Sequence, residues 1–485
     1  MPPPTGATAR RILTGLAAAA AVMVPAPAAG AADRPATPAT LASVVSAAQG
    51  GDVIHLAAGD YGRFRGASKP AMVTLVANPG ATATIDADLE GAKYLRFVDL
   101  RLTSANLVRS THIEFANNVF TGSALIDTTD LNGDHAIVFD ANSHRNITVC
   151  STCYEGRVTV HGSEINRVPV GVTIKNSFFG DGGNSDGIQV GSYGVEVLGN
   201  EFADLYQGDP RLAHTDALQL YGQSHTVIRN NYMHNVATGI LCGDGCDHEV
   251  IENNVVVTRD YPWPILLGPD RDSIIRHNTL PFGGVRVDEG NGPGTSQRTT
   301  ITDNVVGGYQ LAGAGLLADF NLVAGATRGV NDLRGSPRFI GGRRPNSLAG
   351  FALAAGSPGK GDASDGTDRG VAITALATPA GPAQASRRVI VSVRRSITLA
   401  ALRKGVRVKI RAPERVKLRL SLVPRGGRHS LAARSTTLRG TRTYVLRPRR
   451  ASIGRRRNRT LALRVRSTDS SGATTTQSFR IRVRA

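Results

Sequence analysis

Two short stretches of this 485-residue chain repeat one another: Gly183-Asn-Ser-Asp-Gly-Ile-Gln-Val190 and His214-Thr-Asp-Ala-Leu-Gln-Leu220. Laying Asp186 over Asp216 brings Ile188 over Leu218, Gln189 over Gln219 and Val190 over Leu220. Two carboxylates and two amides therefore hold matching places in successive copies of one unit. If copies stack, the carboxylates become neighbours, and at neutral pH such a pair either shares a proton or holds a cation between its members. A protonated and an ionised partner are what glycoside hydrolysis requires. A Ca2+ ion held by Asp186 and Asp216 would instead neutralise a uronate and acidify its C5 proton for elimination by a nearby base. His214 precedes Asp216 by two on an extended stretch, so both side chains can face one way. These three form the candidate catalytic set, with Gln189, Gln219, Tyr206, Lys175, Arg211 and Arg229 nearest by register for holding substrate. The register also carries His135 into the same column, about two copies earlier. A purely structural reading stands beside this one: the aspartates cap corner N–H groups, and the glutamines form an external amide ladder.

The unit that must position these groups shows at its asparagines. Asn176, Asn200, Asn231, Asn254, Asn278 and Asn304 open similar tripeptides, 24, 31, 23, 24 and 26 residues apart, with Asn118 as an earlier relative. A period of this size means a solenoid, in which no copy buries its own apolar face. The runs inside each copy are short, β-branched and bounded by Gly, Asn and Asp, as in Val170-Gly-Val-Thr-Ile, Val195-Glu-Val-Leu and Thr300-Ile-Thr. These are strands. The fold class expected is all-β: a right-handed parallel β-helix with asparagine ladders at its corners, followed by a small antiparallel β-sandwich. The longest insertion near the repeated acids, Tyr206 to Ala213, accounts for the 31-residue spacing.

Over roughly residues 38–372 the chain resembles the pectin-lyase-like right-handed parallel β-helix proteins. Leu41-Ala-Ser-Val-Val-Ser-Ala-Ala-Gln-Gly-Gly-Asp-Val-Ile-His-Leu, running on to Tyr61-Gly62, is similar to the opening of alginate-lyase and chondroitinase-B type members, where a capping helix leads into the first strand. Asp319-Phe-Asn-Leu, Gly335-Ser-Pro-Arg-Phe and Ala355-Gly-Ser-Pro-Gly-Lys-Gly resemble the closing coils of secreted members. Asn184-Ser-Asp-Gly187 looks like the first acidic motif of polygalacturonases, and Asp216 falls about where their second lies. The pattern departs there: Ala217 follows, with no Gly-His-Gly near Gly239 and no later Arg-Ile-Lys. The resemblance implies the fold, and it implies a substrate class only in outline, since this scaffold carries lyases, hydrolases and adhesins.

Residues 1–31 read as a secretion signal, with Arg10-Arg11, an apolar run from Ile12 to Val24 and a small-residue cleavage site at Ala29-Gly-Ala31. The run is too short to span a bilayer, and no later one is long enough. The mature protein is expected outside the cytoplasm, secreted or wall-associated. Thr40 to Gln49 has helical spacing, with Leu41, Val44, Val45 and Ala48 on one face, and would plug the solenoid's open end. The β-helix is expected over 38–372, a linker over 373–386 and the sandwich over 387–485. This last segment holds 29 Lys and Arg against two acids, Glu414 and Asp469, leaving 28 basic and 36 acidic residues before it. Its alternating runs, such as Val416-Lys-Leu-Arg-Leu-Ser-Leu, put apolar side chains inside and arginines outside. Export and the scarcity of aromatics favour an anionic wall polymer or acidic glycan over nucleic acid as its partner. In an exported protein Cys150 with Cys153, and Cys242 with Cys246, are expected as local disulfides. Two functions of different classes follow: an exported lyase or glycoside hydrolase acting on an acidic polysaccharide, or a non-catalytic glycan-binding wall protein.

Overall fold

The computed structural model describes residues 31–129, 135–149, 156–162, 168–205, 214–292, 294–373, 390–393, 396–424, 430–448, 459–468 and 474–484. The signal segment, Cys150 and Cys153, Tyr206, Arg211 and nearly all of the 373–386 linker lie outside these.

From Asp33 to Arg334 the chain winds as a right-handed parallel β-helix with three strand columns. One is a 13-stranded parallel sheet. The other two are joined into a 21-stranded sheet through Arg101–Val108, which pairs with strands of both columns. The inward residues explain the winding. Val158, Val160, Ile188, Val190, Leu218, Leu220, Ile240 and Ile265 are stacked coil on coil and almost wholly buried. Phe97, Phe115 and Phe139 continue the same stacking in another column, with centroids 4.9 Å apart at each step. A helix at Leu41–Ala47, shorter than the Thr40–Gln49 span expected, covers the first coil with Leu41 and Val45.

The corner ladder is made by Asn118, Asn142, Ser177, Asn200, Asn231, Asn254, Asn278, Asn304 and Asn321. Each asparagine Oδ1 accepts from a backbone N–H one coil earlier, and each Nδ2 donates to a backbone carbonyl one coil earlier and, in all but Asn142, also to the side chain one coil later. This corrects the sequence register by one at Asn176. That residue is the left-handed corner residue, φ 50°, and its side chain bonds Asp140 outside; Ser177 holds the ladder place. Left-handed backbone belongs to the residue before each rung, such as Asn117, Asn230 and Asn253.

In the coil after the repeated acids, Tyr232–Val236 and Thr238–Cys242 are separated by Ala237 alone. At the corresponding place one coil earlier, residues 204–215 separate Glu201–Ala203 from Asp216–Leu220. The insertion therefore enters immediately before Asp216. Cys242 and Cys246 form the expected disulfide, Cα atoms 6.4 Å apart. Beyond the last coil the chain turns back along the solenoid. The N–H groups of Gly370, Val371 and Ala372 donate to Asp303 O, Thr279 Oγ1 and Asn253 Oδ1, three successively earlier coils.

The C-terminal strands form a separate six-stranded sheet, mostly antiparallel, around its own apolar cluster. Val406–Pro424 is its long central strand; at a bulge between Ala412 and Val416 it exchanges Ile390–Val393 for Arg459–Thr468 as second neighbour. Such a switch bends a sheet so that both halves enclose one core.

Candidate functional site

Asp186 and Asp216 open adjacent strands of one face, Asp186–Gly191 and Asp216–Leu220, in the register expected from the repeat. They are one coil apart and bonded: the Asp216 N–H donates to Asp186 Oδ1 at 2.7 Å. They are not on the wet exterior, as stacking alone would place them. Asp186 is 3% exposed and Asp216 fully buried, because each lies behind the side chain that bonds it.

Those covering side chains carry the order outward. Gln189 Nε2 donates to Asp186 Oδ2 at 2.8 Å and to Gln219 Oε1 at 3.2 Å. With Asp186 ionised its carboxylate can only accept, which fixes which end of Gln189 is the donor, and that fixes Gln219. The consequence is that Gln219 turns its N–H groups, not its carbonyl, away from the ladder. His214 Nδ1 stands 2.7 Å from Asp216 Oδ2, and Thr238 Oγ1 donates to the other oxygen of Asp216. His214 is the group of this set that reaches solvent, its side chain 36% exposed.

The electrostatics follow from burial and pairing. Asp186 is pushed up by burial and then by the charge of Asp216, against the donors from the Asp216 backbone and Gln189. His214 is raised by its hydrogen bond to Asp216, with burial opposing. Behind Asp186 lies Arg157, fully buried, its guanidinium donating to the carbonyls of His144, Gly180 and Gly182. Burial lowers this arginine to about 10, while Asp186 and Asp181 favour its charge.

A groove of about 780 Å3 opens over this face. Its floor is the outward column Leu125, Thr159, Gln189 and Gln219, on four consecutive coils. With about 4.8 Å per coil, that floor is roughly 14 Å long. His161 and Tyr221 stand along one side, His214 on the other, and Asp244 and Asn291 at the far end. Tyr221 is placed by a glycine: a Cβ added to Gly191 would come within 2.4 Å of the phenol ring.

Several expected members are elsewhere. Lys175 and Arg229 belong to the 13-stranded sheet, where they pair with Asp140 at 3.3 Å and Glu252 at 2.8 Å. His135 precedes a strand of that same sheet and is buried with Nδ1 on Val170 O. Tyr206 and Arg211 fall outside the described residues. His161, Asp244 and Thr238 are the members that sequence reasoning missed. Tyr221 continues the outward alternation from Gln219 and sits one coil after a glycine.

Asp186, His214 and Asp216 bring ligand atoms within 4.8 Å of one another, close enough to share a metal ion. The donor set does not suit Ca2+, which takes six to eight oxygen ligands. Three of the four carboxylate oxygens already accept hydrogen bonds, from the Asp216 N–H, Gln189 and Thr238, and the fourth, Asp216 Oδ2, is held in an ion pair with His214.

No protein-family model and no curated protein matches the sequence. Among solved structures the chain is similar to a family 6 alginate lyase variant, at 14% identity and TM-score 0.48 over 76% of this chain. It spans 61% of that protein's length. It is also similar to a mannuronic-acid-specific family 6 lyase from human gut microbiota, at 15% identity and TM-score 0.32 over 62% of this chain and 78% of that one. A pectate lyase is similar at 12% identity and TM-score 0.35, over 70% and 96%. At these identities what is similar is the coiling of the chain.

Proposed function

We propose that this protein is an exported polysaccharide-active enzyme that cleaves an acidic polysaccharide by β-elimination, with His214 as the base. The observation that carries this reading is the pairing of a solvent-reaching histidine with a buried aspartate on the edge of a groove several coils long. Asp216 occupies Nδ1, so proton exchange with a bound sugar falls to Nε2. Hydrolysis by two carboxyl groups is the weaker reading, because it needs both carboxyls facing the scissile bond. Asp186 and Asp216 are buried with their oxygens engaged.

In the proposed step Nε2 of His214 takes the C5 proton of a uronate. The C5 electrons form the C4=C5 double bond as the C4–O bond breaks, and the leaving oxygen takes the phenolic proton of Tyr221. Water then returns a proton to Tyr221 and accepts one from His214. Burial raises Tyr221 and so keeps its phenol protonated at neutral pH. As the C5 proton leaves, negative charge spreads onto the substrate carboxylate, and the outward N–H groups of Gln219 are donors for it. Asp186 acts on this through Gln189 and is a positioning residue. Arg10-Arg11 and the apolar run after them support export, and among the described residues no helix is long and apolar enough to cross a membrane.

Incubation with a panel of polyuronates and neutral glycans tests the reading. Ultraviolet absorbance from unsaturated ends is expected, unaffected by EDTA, and lost by at least about a thousandfold in His214→Ala, a general-base contribution of ordinary size. New reducing ends without that absorbance would replace elimination by hydrolysis. Silence across the panel would leave a non-catalytic glycan-binding protein.

A further inference from the structure

Many of the solenoid's arginines are matched with acids. Arg229 and Arg276 share Glu252, Arg298 meets Asp272, and Arg63 meets Asp86 and Asp88. The C-terminal sheet does the opposite. In Val406–Pro424 the residues Val416, Leu418, Leu420 and Leu422 point into the core, which turns Lys417 and Arg419 out, both exposed. On the adjacent strand Arg459–Thr468, Leu463 and Val465 are buried, and Arg464 and Arg466 are exposed. Antiparallel register sets Arg419 directly opposite Arg466 and Ser421 opposite Arg464. On the other flank Ser435 and Thr437 stand opposite Arg419 and Lys417. Among the described residues none of these four cations is paired with an acid.

Like charges directly opposite one another destabilise a sheet. The four cations stand about 4.8 Å apart across strands and about 6.8 Å along them, with the hydroxyls of Ser421, Ser435 and Thr437 beside them. A linear polymer bearing an oxyanion at each short repeat would relieve that repulsion at several points at once. The module's buried Tyr444 and half-buried Phe479 lend no exposed aromatic ring, so the stacking that single-stranded nucleic acid uses is not supplied by the described face.

We infer that the face formed by Lys417, Arg419, Arg464 and Arg466 is a docking surface for the carboxylate-bearing polysaccharide that the groove cleaves. The polymer's identity, and only that, rests on the proposed activity. Docking at a second place on the same chain raises the local concentration of substrate at the groove. The polymer should gain from the surface and short oligosaccharides should not.

The test uses the full chain. Binding to polygalacturonate and to alginate is measured across a salt series, with His214→Ala so that nothing is cleaved. Then Lys417→Ser, Arg419→Ser, Arg464→Ser and Arg466→Ser are combined; all four are surface sites, and circular dichroism checks the fold. The combined variant should bind at least about tenfold more weakly with a flatter salt dependence. With His214 intact it should raise KM on polymer while leaving turnover of short oligouronates unchanged. Undiminished polyuronate binding overturns the inference, as does binding of a polyphosphate or duplex DNA in preference to both polyuronates. Loss of polyuronate binding in the variant, without cleavage of any polymer by the parent, sustains the surface and removes the lyase reading alone.

Discussion

At the scale of single residues, the site is a chain of side chains each fixing the next. Asp216 was legible as a partner of its repeat mate because the period aligns it with Asp186. Its role was not, because the repeat cannot tell whether a carboxylate at a strand's first position faces water or its neighbours' donors. Here three oxygens meet hydrogen-bond donors, the fourth pairs with His214, and the histidine becomes the group that meets solvent. A pH profile follows from this. His214 is raised by Asp216, so its base form appears only above the ordinary histidine value of 6.5. The rise of kcat/KM on a polyuronate should therefore lie above pH 6.5 in the parent. Asp216→Asn removes the cause, so the rise should move to lower pH while the plateau falls at least about a hundredfold, the imidazole having lost its orienting partner. An unmoved limb would mean that another group titrates.

At the scale of elements, the period gave strands and corners but could not say which of three columns a residue enters. Lys175 and Arg229 lie close in number to the acids and on a different sheet, since a coil turns away from the groove within a few residues. The same one-residue ambiguity displaced the ladder at Asn176. A pair of substitutions separates the two corner positions. Asn231→Ala strands the Asn200 N–H and Val197 O in the interior. Each orphan of this kind costs about 1–3 kcal/mol, so the sum should reach about 2 kcal/mol or more by urea denaturation. Asn176→Gly, which keeps the left-handed corner unstrained, loses one exposed bond to Asp140 and should cost less than about 1 kcal/mol. Equal costs would contradict the ladder assignment.

At the scale of the whole molecule, the returning segment ties distant coils together, and one of its anchors titrates. His277 Nε2 lies 3.5 Å from Asp365 Oδ2 and 3.9 Å from Asp303 Oδ2. Burial opposes both charges, yet the hydrogen bond between them raises His277 above 6.5 and holds Asp365 below 3.8. The raised histidine contributes fully below pH 6.5 and fades as pH rises through its folded value. The depressed acid contributes fully above pH 3.8 and fades as pH falls through its own. The strap should be tightest between those limits. Hydrogen exchange at Gly370, Val371 and Ala372, corrected for intrinsic rates, should show protection falling from pH 6 to pH 9, and His277→Ala should remove the dependence. A dependence that survived the substitution would place the switch elsewhere. No such strap was readable from the chain, because contacts between residues about 70 to 120 apart follow no period. The single alanine that joins two strands after the site, where twelve residues join them just before it, has a last consequence. Backbone pairing on either side of that junction is indifferent to what is inserted, so the residues between Leu205 and His214 can be exchanged while the rungs and the histidine hold still. Lineages, or protein engineers, could rewrite that insertion without renegotiating the framework on either side of it.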